Sequence, residues 1–265
     1  MASGAGDATI VNTTISGNLA STAGGIRYSG GDSANLSLNF VTVANNAGAQ
    51  SGGIATLGDV PLPRIAHTIL AGNRLGSAPA AQASDCKGSL LSAGYNLVET
   101  ELEPDVAAAA SKCSLACEPG KTKAEDAHWC ASDEVSTEDD PVVPKFKALS
   151  AQGFHELEAD SPAVNAVPHD DCVPLAAGDP SVAVDQRGTR RTPDDGPQCA
   201  CDIGAYERPL PDGDGDEVID CDDPCPKLAN RPLKFTQPGT ACSADQPCAI
   251  DQVCKTLQCV LRSCA

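Results

Sequence analysis

Seven acidic side chains crowd the twelve positions from Asp212 to Asp223, within the stretch DGDGDEVIDCDDPCP at residues 212–226. At that density carboxylates repel one another unless a cation or bulk water screens them. The spacing is ordered as well. Asp212, Asp214 and Asp216 alternate, Asp220 and Asp223 follow at wider intervals, and Pro224, Cys225 and Pro226 close the run. A hard divalent cation takes about six to eight oxygens, and a tight turn delivers them at alternate residues. A solvated acidic linker is the other reading of the same residues.

The composition bounds what surrounds this stretch. The chain has 265 residues, with 18 Lys and Arg against 36 Asp and Glu, for a formal net charge of -18. Polyanions such as nucleic acid or an anionic membrane surface would be repelled. Divalent cations, basic partners and neutral glycans are compatible with that balance. Aromatic residues make up only 3% of the chain, with one Trp and one Met, so a core must come from Val, Ile, Leu and Ala. That supply suits a thin repetitive stack better than a thick globular core. No run of about 18 apolar residues is present to form a membrane-spanning helix.

The 14 cysteines point to disulfides and an oxidising compartment. Zinc is a poor fit, because the close groupings, Cys199-Ala-Cys201 and Cys221 with Cys225, have no His between or just beyond them. An exported protein needs a signal, yet the chain opens MASGAGDATIVN without a basic segment or an apolar run. The expectation is therefore the C-terminal part of a longer exported chain.

Residues 8 to 98 repeat. VNTTISGNLASTAGGI, NFVTVANNAGAQSGGI and AHTILAGNRLG align on Asn18, Asn46 and Asn73, at offsets of 28 and 27. The pairs Gly24-Gly25 and Gly52-Gly53 are also 28 apart. A fixed period in this range means a solenoid. The runs are short, β-branched and punctuated by Gly and Asn, so they predict strands and turns, not helices. Stacking places equivalent residues about 4.8 Å apart, and Asn18, Asn46 and Asn73 then form a ladder of turn amides. The inward face is either Val11, Thr13 and Ile15 or Ile10, Asn12 and Thr14. Beyond the repeats, residues 99–208 are expected to close the end of the stack. Residues 209–226 form the acidic linker, and residues 227–265 a Cys-rich tail too small for a core of its own.

The order of motifs N-x-T-[IV]-x-x-N with Gly pairs, DC…GYNL…C, SPA, DQRG and CDIGAYE over residues 8–207 resembles a known family. It is similar to the C-terminal half of bacterial right-handed parallel β-helix proteins with a choice-of-anchor Q domain, in the pectate-lyase-like superfamily. The resemblance implies an all-β right-handed parallel β-helix on a secreted or cell-surface protein, a family in which most members have no assigned catalysis. The chain departs from the pattern in its loop at residues 117–130 and in CAC at residues 199–201. The acidic stretch resembles a thrombospondin type 3 calcium repeat. That likeness implies Ca²⁺ held by Asp212, Asp214, Asp216, Asp220 and Asp223, with the Val218 carbonyl at the seventh position. Glu217 stands where the motif prefers Gly.

Three further expectations follow. Asp185, Arg187, Asp202 and Glu207 form a buried ion-pair clasp between the DQRG and CDIGAYE segments. The four histidines are scattered, with no metal-binding pair, and read as surface or turn residues. Cys86 pairs with Cys113, Cys117 with Cys130, and Cys172 with Cys199 or Cys201. Seven cysteines lie on each side of the linker, the distal ones being Cys221, Cys225, Cys242, Cys248, Cys254, Cys259 and Cys264. One bridge must then cross the linker, or one thiol stays free. No catalytic residue is assigned: the repeats place no pair of carboxylates on a common strand position. The expected role is a non-catalytic adhesive or structural protein, outside the cell or on its surface, with glycans or cell-surface components as partners. The alternative is a polysaccharide lyase or hydrolase whose catalytic coils lie partly upstream.

Overall fold

Runs this short cannot bury a face alone, and the chain stacks them. The computed structural model describes residues 6–29, 35–58, 61–76, 82–100, 112–125, 128–137, 141–172, 182–191, 199–215, 220, 252–255 and 258–261. The first coil carries β1 (Ala8–Ser16), β2 (Leu19–Ala20) and β3 (Ile26–Tyr28). The second repeats them as β4 (Leu36–Ala44), β5 (Ala47–Gly48) and β6 (Ile54–Thr56). The third carries β7 (Arg64–Ala66), β8 (Ile69–Ala71) and β9 (Arg74–Leu75), followed by β10 (Cys86–Ser92) and β11 (Leu97–Val98). The parallel stack continues past residue 98 into the segment expected to cap it: β12 (Cys113–Cys117) adds to β10, and β13 (Glu134–Val135) adds to β11. The result is a parallel β-solenoid of about three turns.

Register shows how the core is made. Ile15, Val43, Leu70, Val98 and Val135 stand in one column through β1, β4, β8, β11 and β13. On a second sheet Ile26, Ile54 and Cys86 stand in another. Leu38, Val41, Val43, Ile54, Ile65, Leu70, Leu90, Val98 and Leu115 fill the interior, each at most 1% exposed.

The inward set on β1 is neither of the two alternating sets. Ile10, Thr13 and Ile15 register with the interior residues Leu38, Val41 and Val43, so the alternation slips between positions 10 and 13. The cause is a backbone corner at Asn12, with φ of 46°, repeated at Phe40 (52°), His67 (51°) and Tyr95 (54°). A residue in the left-handed region acts as a bulge and shifts every later side chain to the other face.

The amide ladder forms at the next corner. Asn46 Oδ1 accepts both the backbone N and Nδ2 of Asn18 at 3.0 Å. Asn73 Oδ1 does the same for Asn46, also at 3.0 Å. The ladder ends on a carboxylate: Asp85 Oδ1 accepts Asn73 Nδ2 at 2.7 Å, and Asp85 Oδ2 accepts Thr100 N and Oγ1 at 2.8 Å.

The described residues within 142–172, 182–191 and 200–207 lie along the outer face of the long sheet, not across the end of the stack. Phe40, Ile69 and Leu97 from the sheet join Phe154, Leu157, Val167, Ile203 and Tyr206 in a second apolar layer. Three disulfides fasten the arrangement: Cys86–Cys113 between neighbouring rungs, Cys117–Cys130 across the loop, and Cys172–Cys201 within the covering segment. Cys199 is also disulfide-bonded, with a partner other than these six. Residues 193–199 and 209–265 form a separate compact unit. In it, β14 (Gln252–Lys255) and β15 (Gln258–Leu261) make an antiparallel hairpin.

Asn46 sits mid-ladder at 1% exposure, whereas Asn18 is exposed. Asn46→Ala strands donors of Asn18 and an acceptor of Asn73, and should cost about 3 kcal/mol or more in chemical denaturation. Asn18→Ala should cost under about 1 kcal/mol. Equal losses for the two variants would show that the ladder adds nothing beyond turn propensity.

Candidate functional site

Among the described residues, polar or charged side chains gather in the clasp, in a cleft beside it and in the acidic loop, as well as in a second cleft of about 680 Å³ lined by Gln50, Gln82, Glu99 and Lys112. In the clasp, DQRG folds as a tight turn around one carboxylate. Asp185 Oδ1 accepts Arg187 N at 2.8 Å and Thr189 N at 2.9 Å, while Oδ2 accepts Arg187 Nε at 2.8 Å and Glu207 N at 3.0 Å. The Arg187 guanidinium also donates to the Glu207 carbonyl and lies 3.9 Å from the Tyr206 ring centre. Asp202 accepts Asn165 N and Arg208 N, both at 2.7 Å. Asp185, Arg187 and Glu207 meet through backbone hydrogen bonds, but the Arg187 ion pair is with Asp185 of its own segment, and the ion pair that joins the two segments comes from a fifth residue. Arg191, 1% exposed, donates to Glu207 Oε2 at 3.0 Å and reaches Asn12 Oδ1 of the first coil at 3.0 Å. Its guanidinium lies 3.9 Å over the Phe40 ring. Burial pushes the Glu207 carboxyl well above its ordinary range, and the nearby Asp202 adds to the shift.

CDIGAYE crosses the sheet at Gly204, where φ is +98° and an added Cβ would lie 2.7 Å from Ile69 Cδ1 and 2.8 Å from Thr42 Oγ1. The backbone therefore rests on the sheet itself. Gly204 N donates to the His67 carbonyl at 2.9 Å, and Ala205 N to Thr42 Oγ1 at 3.0 Å. Only glycine meets both demands.

His67 and His155 are buried, each 4% exposed, and so are not surface residues, although His67 does occupy a backbone corner as a turn residue would. His155 bridges Ser16 Oγ and the Lys147 carbonyl, each at 2.8 Å. His67 lies stacked between Phe40 and Tyr95, with ring centres 4.5 Å and 5.8 Å away. Its Nδ1 is 2.9 Å from Asn39 Oδ1. Burial, helped by the charges of Arg191, Arg64 and Lys121, lowers its pKa to about 3. Tyr95 Oη donates to Asp171 Oδ2 at 2.6 Å. Burial and that carboxylate push the phenol up to about 12. Beside this stack a cleft of about 160 Å³ opens between Arg64, Ala66, Ala93, Tyr95, Lys121 and Asp171. Arg64 is held by Glu118 through two hydrogen bonds of 3.1 Å. Both shifts move the titration of these two groups away from neutral pH.

In the acidic loop, Asp212 Oδ1 accepts Gly215 N at 2.8 Å and Asp220 Oδ1 accepts Gly213 N at 2.6 Å. Asp220 N donates to the Pro211 carbonyl at 2.7 Å, and Asp214 is half-buried. Asp216, Val218 and Asp223 lie outside the described residues, as do Cys221, Cys225, Cys242, Cys248 and Cys264. Cys254 and Cys259 are register partners in the hairpin. Among the described residues, no group of three or more His, Cys, Asp or Glu side chains converges as a metal site, and no helix is long and apolar enough to cross a membrane. In comparisons with known proteins, no family model, no curated protein and no solved structure matches this chain.

Two outcomes follow. Gly204→Ala should destabilise the fold by about 3 kcal/mol, combining a strained φ with overpacking against Ile69. Thermal or chemical denaturation measures this, and a loss under about 1 kcal/mol would mean the strand of contact moves aside freely. His67 binds its proton in the unfolded chain near pH 6.5 but in the folded chain only near pH 3. Its contribution is whole above pH 6.5 and drains away as pH falls to 3, whereas the raised carboxyls of Asp85, Asp133, Asp202 and Glu207 act in the opposite sense. The stability difference between wild type and His67→Phe should therefore shrink with acid, by at most about 1.4 kcal/mol per pH unit. A difference independent of pH would mean that His67 is protonated in the fold.

Proposed function

We propose that this chain is a non-catalytic secreted or cell-surface β-helix module of the choice-of-anchor Q kind. Its role is adhesive or structural, and a Ca²⁺-stiffened loop leads into its disulfide-rich tail. The observation that carries this reading is the covering of the long sheet. An extended polymer substrate needs an open sheet face, and here Phe154, Leu157, Val167, Ile203 and Tyr206 cover that face with an apolar layer, beside the Arg191 clasp. Two of the titratable groups bordering the cleft beside the stack, His67 and Tyr95, have their titration moved away from neutral pH, down to about 3 and up to about 12. These two groups suit holding a ligand better than passing a proton.

The acidic loop supplies the other half of the proposal. Asp212, Asp214, Asp216, Asp220 and Asp223, with the Val218 carbonyl, would hold the ion. The described part of the loop fits that use: Asp212 and Asp220 bend the backbone around Gly213 and Gly215 through their own carboxylate oxygens, leaving a turn rich in hard donors. A bound Ca²⁺ supplies the positive charge that this concentration of carboxylates otherwise lacks. Six cysteines joined in three bridges favour an oxidising environment. Outside the cell, calcium at about millimolar concentration fills even a weak loop.

Calorimetric titration of the oxidised full chain with CaCl₂ should give saturable binding at about 10⁻⁴ to 10⁻³ M, absent in the double variant Asp214→Ala/Asp216→Ala. No heat at millimolar calcium would reduce the loop to a solvated spacer. Release of new reducing or unsaturated ends from a panel of polysaccharides would sink the non-catalytic reading.

A further inference from the structure

The long sheet keeps a strict rhythm until one insertion breaks it. Equivalent residues Thr14, Thr42, Ile69 and Leu97 follow at 28, 27 and 28 residues, but the next partner of Leu97 is Glu134, 37 residues on. The extra length is the loop closed by Cys117–Cys130, and it delivers Glu118 and Lys121 to the mouth of the cleft. Insertions in a solenoid gather on a binding face. The cleft is also the place where three parts of the fold converge: two rungs of the sheet through Arg64 and Tyr95, the insertion through Lys121, and the covering segment through Asp171.

We propose that this cleft binds one neutral sugar ring, a pyranose at the end of a glycan. The proposal gives the adhesive reading its ligand class and rests on that reading only in expecting no turnover. A pyranose has an apolar face and a rim of hydroxyls that both donate and accept. The buried methyls of Ala66 and Ala93, with Tyr95, offer an apolar floor. Around it, the Lys121 ammonium makes no hydrogen bond or ion pair among the described residues, its backbone N donating to the Glu118 carbonyl. Arg64 uses Nε and Nη2 on Glu118 and keeps Nη1, and Asp171 uses Oδ2 on Tyr95 and keeps Oδ1. Donors and an acceptor are thus left on the same rim.

Charge selects against an ionic ligand. Two cations, Arg64 and Lys121, are matched by two carboxylates, Glu118 and Asp171, so the rim is balanced on a chain whose net charge is -18. Size selects a single ring: about 160 Å³ falls well short of the roughly 300 Å³ at which pockets for drug-sized ligands begin. Rigidity comes from below. The Phe40, His67 and Tyr95 stack fixes the phenol, and the disulfide fixes the loop, so little ordering is left to oppose binding.

Saturation-transfer NMR on the oxidised full chain tests this, with methyl glycosides of glucose, galactose, mannose and N-acetylglucosamine, beside galacturonate and inorganic sulfate. At least one neutral glycoside should bind and weaken roughly tenfold or more in Lys121→Ala and in Asp171→Ala, with unchanged circular dichroism. Lys121 is exposed, so its variant keeps the test open if Asp171→Ala fails to fold. Absence of transfer from every neutral glycoside, tighter binding of galacturonate or sulfate, or wild-type affinity in Lys121→Ala would each overturn the site while leaving the non-catalytic reading intact. Binding accompanied by turnover would keep the site and overturn that reading.

Discussion

The positive φ shared by Asn12, Phe40, His67 and Tyr95 is the constraint on which the rest of the molecule depends. Each such residue costs about 1 kcal/mol or more in an L-amino-acid chain. What each achieves is a change of face. Before the corner, Leu38 and Ile65 point into the solenoid; after it, Val41, Val43 and Leu70 do. Between them the corner residues project outward and stack, so the outside of the sheet becomes apolar along one line. A strictly alternating strand would have carried Phe40 and Ile69 into the solenoid and turned Val41, Val43 and Leu70 outward. Stacking at 4.5 Å and 5.8 Å returns part of the strain, since each ring shields its neighbour.

The covering segment is built to match that line. Ile203 and Tyr206 enter the apolar layer, Gly204 lets the backbone touch the sheet, and Arg191 runs through to the first coil. A guanidinium suits this position better than an ammonium. It lies flat on Phe40 while its edge serves Glu207, Gly204 and Asn12 together. Asn12 is thus bent by its own φ and held by the far end of the chain, 179 residues away. The solenoid and its cover are consequently one cooperative object, and a change at Gly204 is felt at the corners of the coils.

Much of this was legible in the residues. The period, the strands and the Asn18, Asn46 and Asn73 ladder depend on local spacing, and spacing is what a sequence displays. The corner column was hidden because Asn, Phe, His and Tyr share no type; the next column, Gly17, Asn45 and Gly72, has the residues that usually mark such a backbone. Arg191 was passed over because Arg187, Arg190 and Arg191 look alike in DQRGTRR, and only the three-dimensional path decides which one is buried. His155 was misread for the same reason, its partners Ser16 and Lys147 lying 139 and 8 residues away, whereas the burial of His67 follows from partners one period away on either side, Asn39 and Tyr95. The choice of Cys201 over Cys199 for Cys172 likewise turns on two residues of position, which no spacing rule resolves.

The ladders also change the meaning of the acidic composition. A buried amide column has direction: every Asn donates forward to the next carbonyl oxygen, so the last one must find an acceptor that passes nothing on. A second Asn would only move the problem one coil further. A carboxylate ends it. Asp85 closes the column from Asn73, and Asp133 closes a parallel one by accepting Asn96 N at 2.9 Å and Nδ2 at 3.0 Å. Burial raises both carboxyls, because the charge they would carry is poorly solvated there. The hydrogen bonds that gather on them oppose that shift and keep the oxygens useful as acceptors. Asp133 accepts from Ser92 Oγ and Cys130 N as well, so the same side chain that ends a ladder anchors the foot of the disulfide-closed loop. Asp85 and Asp133 thus each stand where a column of amides ends, and Asp133 does so just after the disulfide-closed loop.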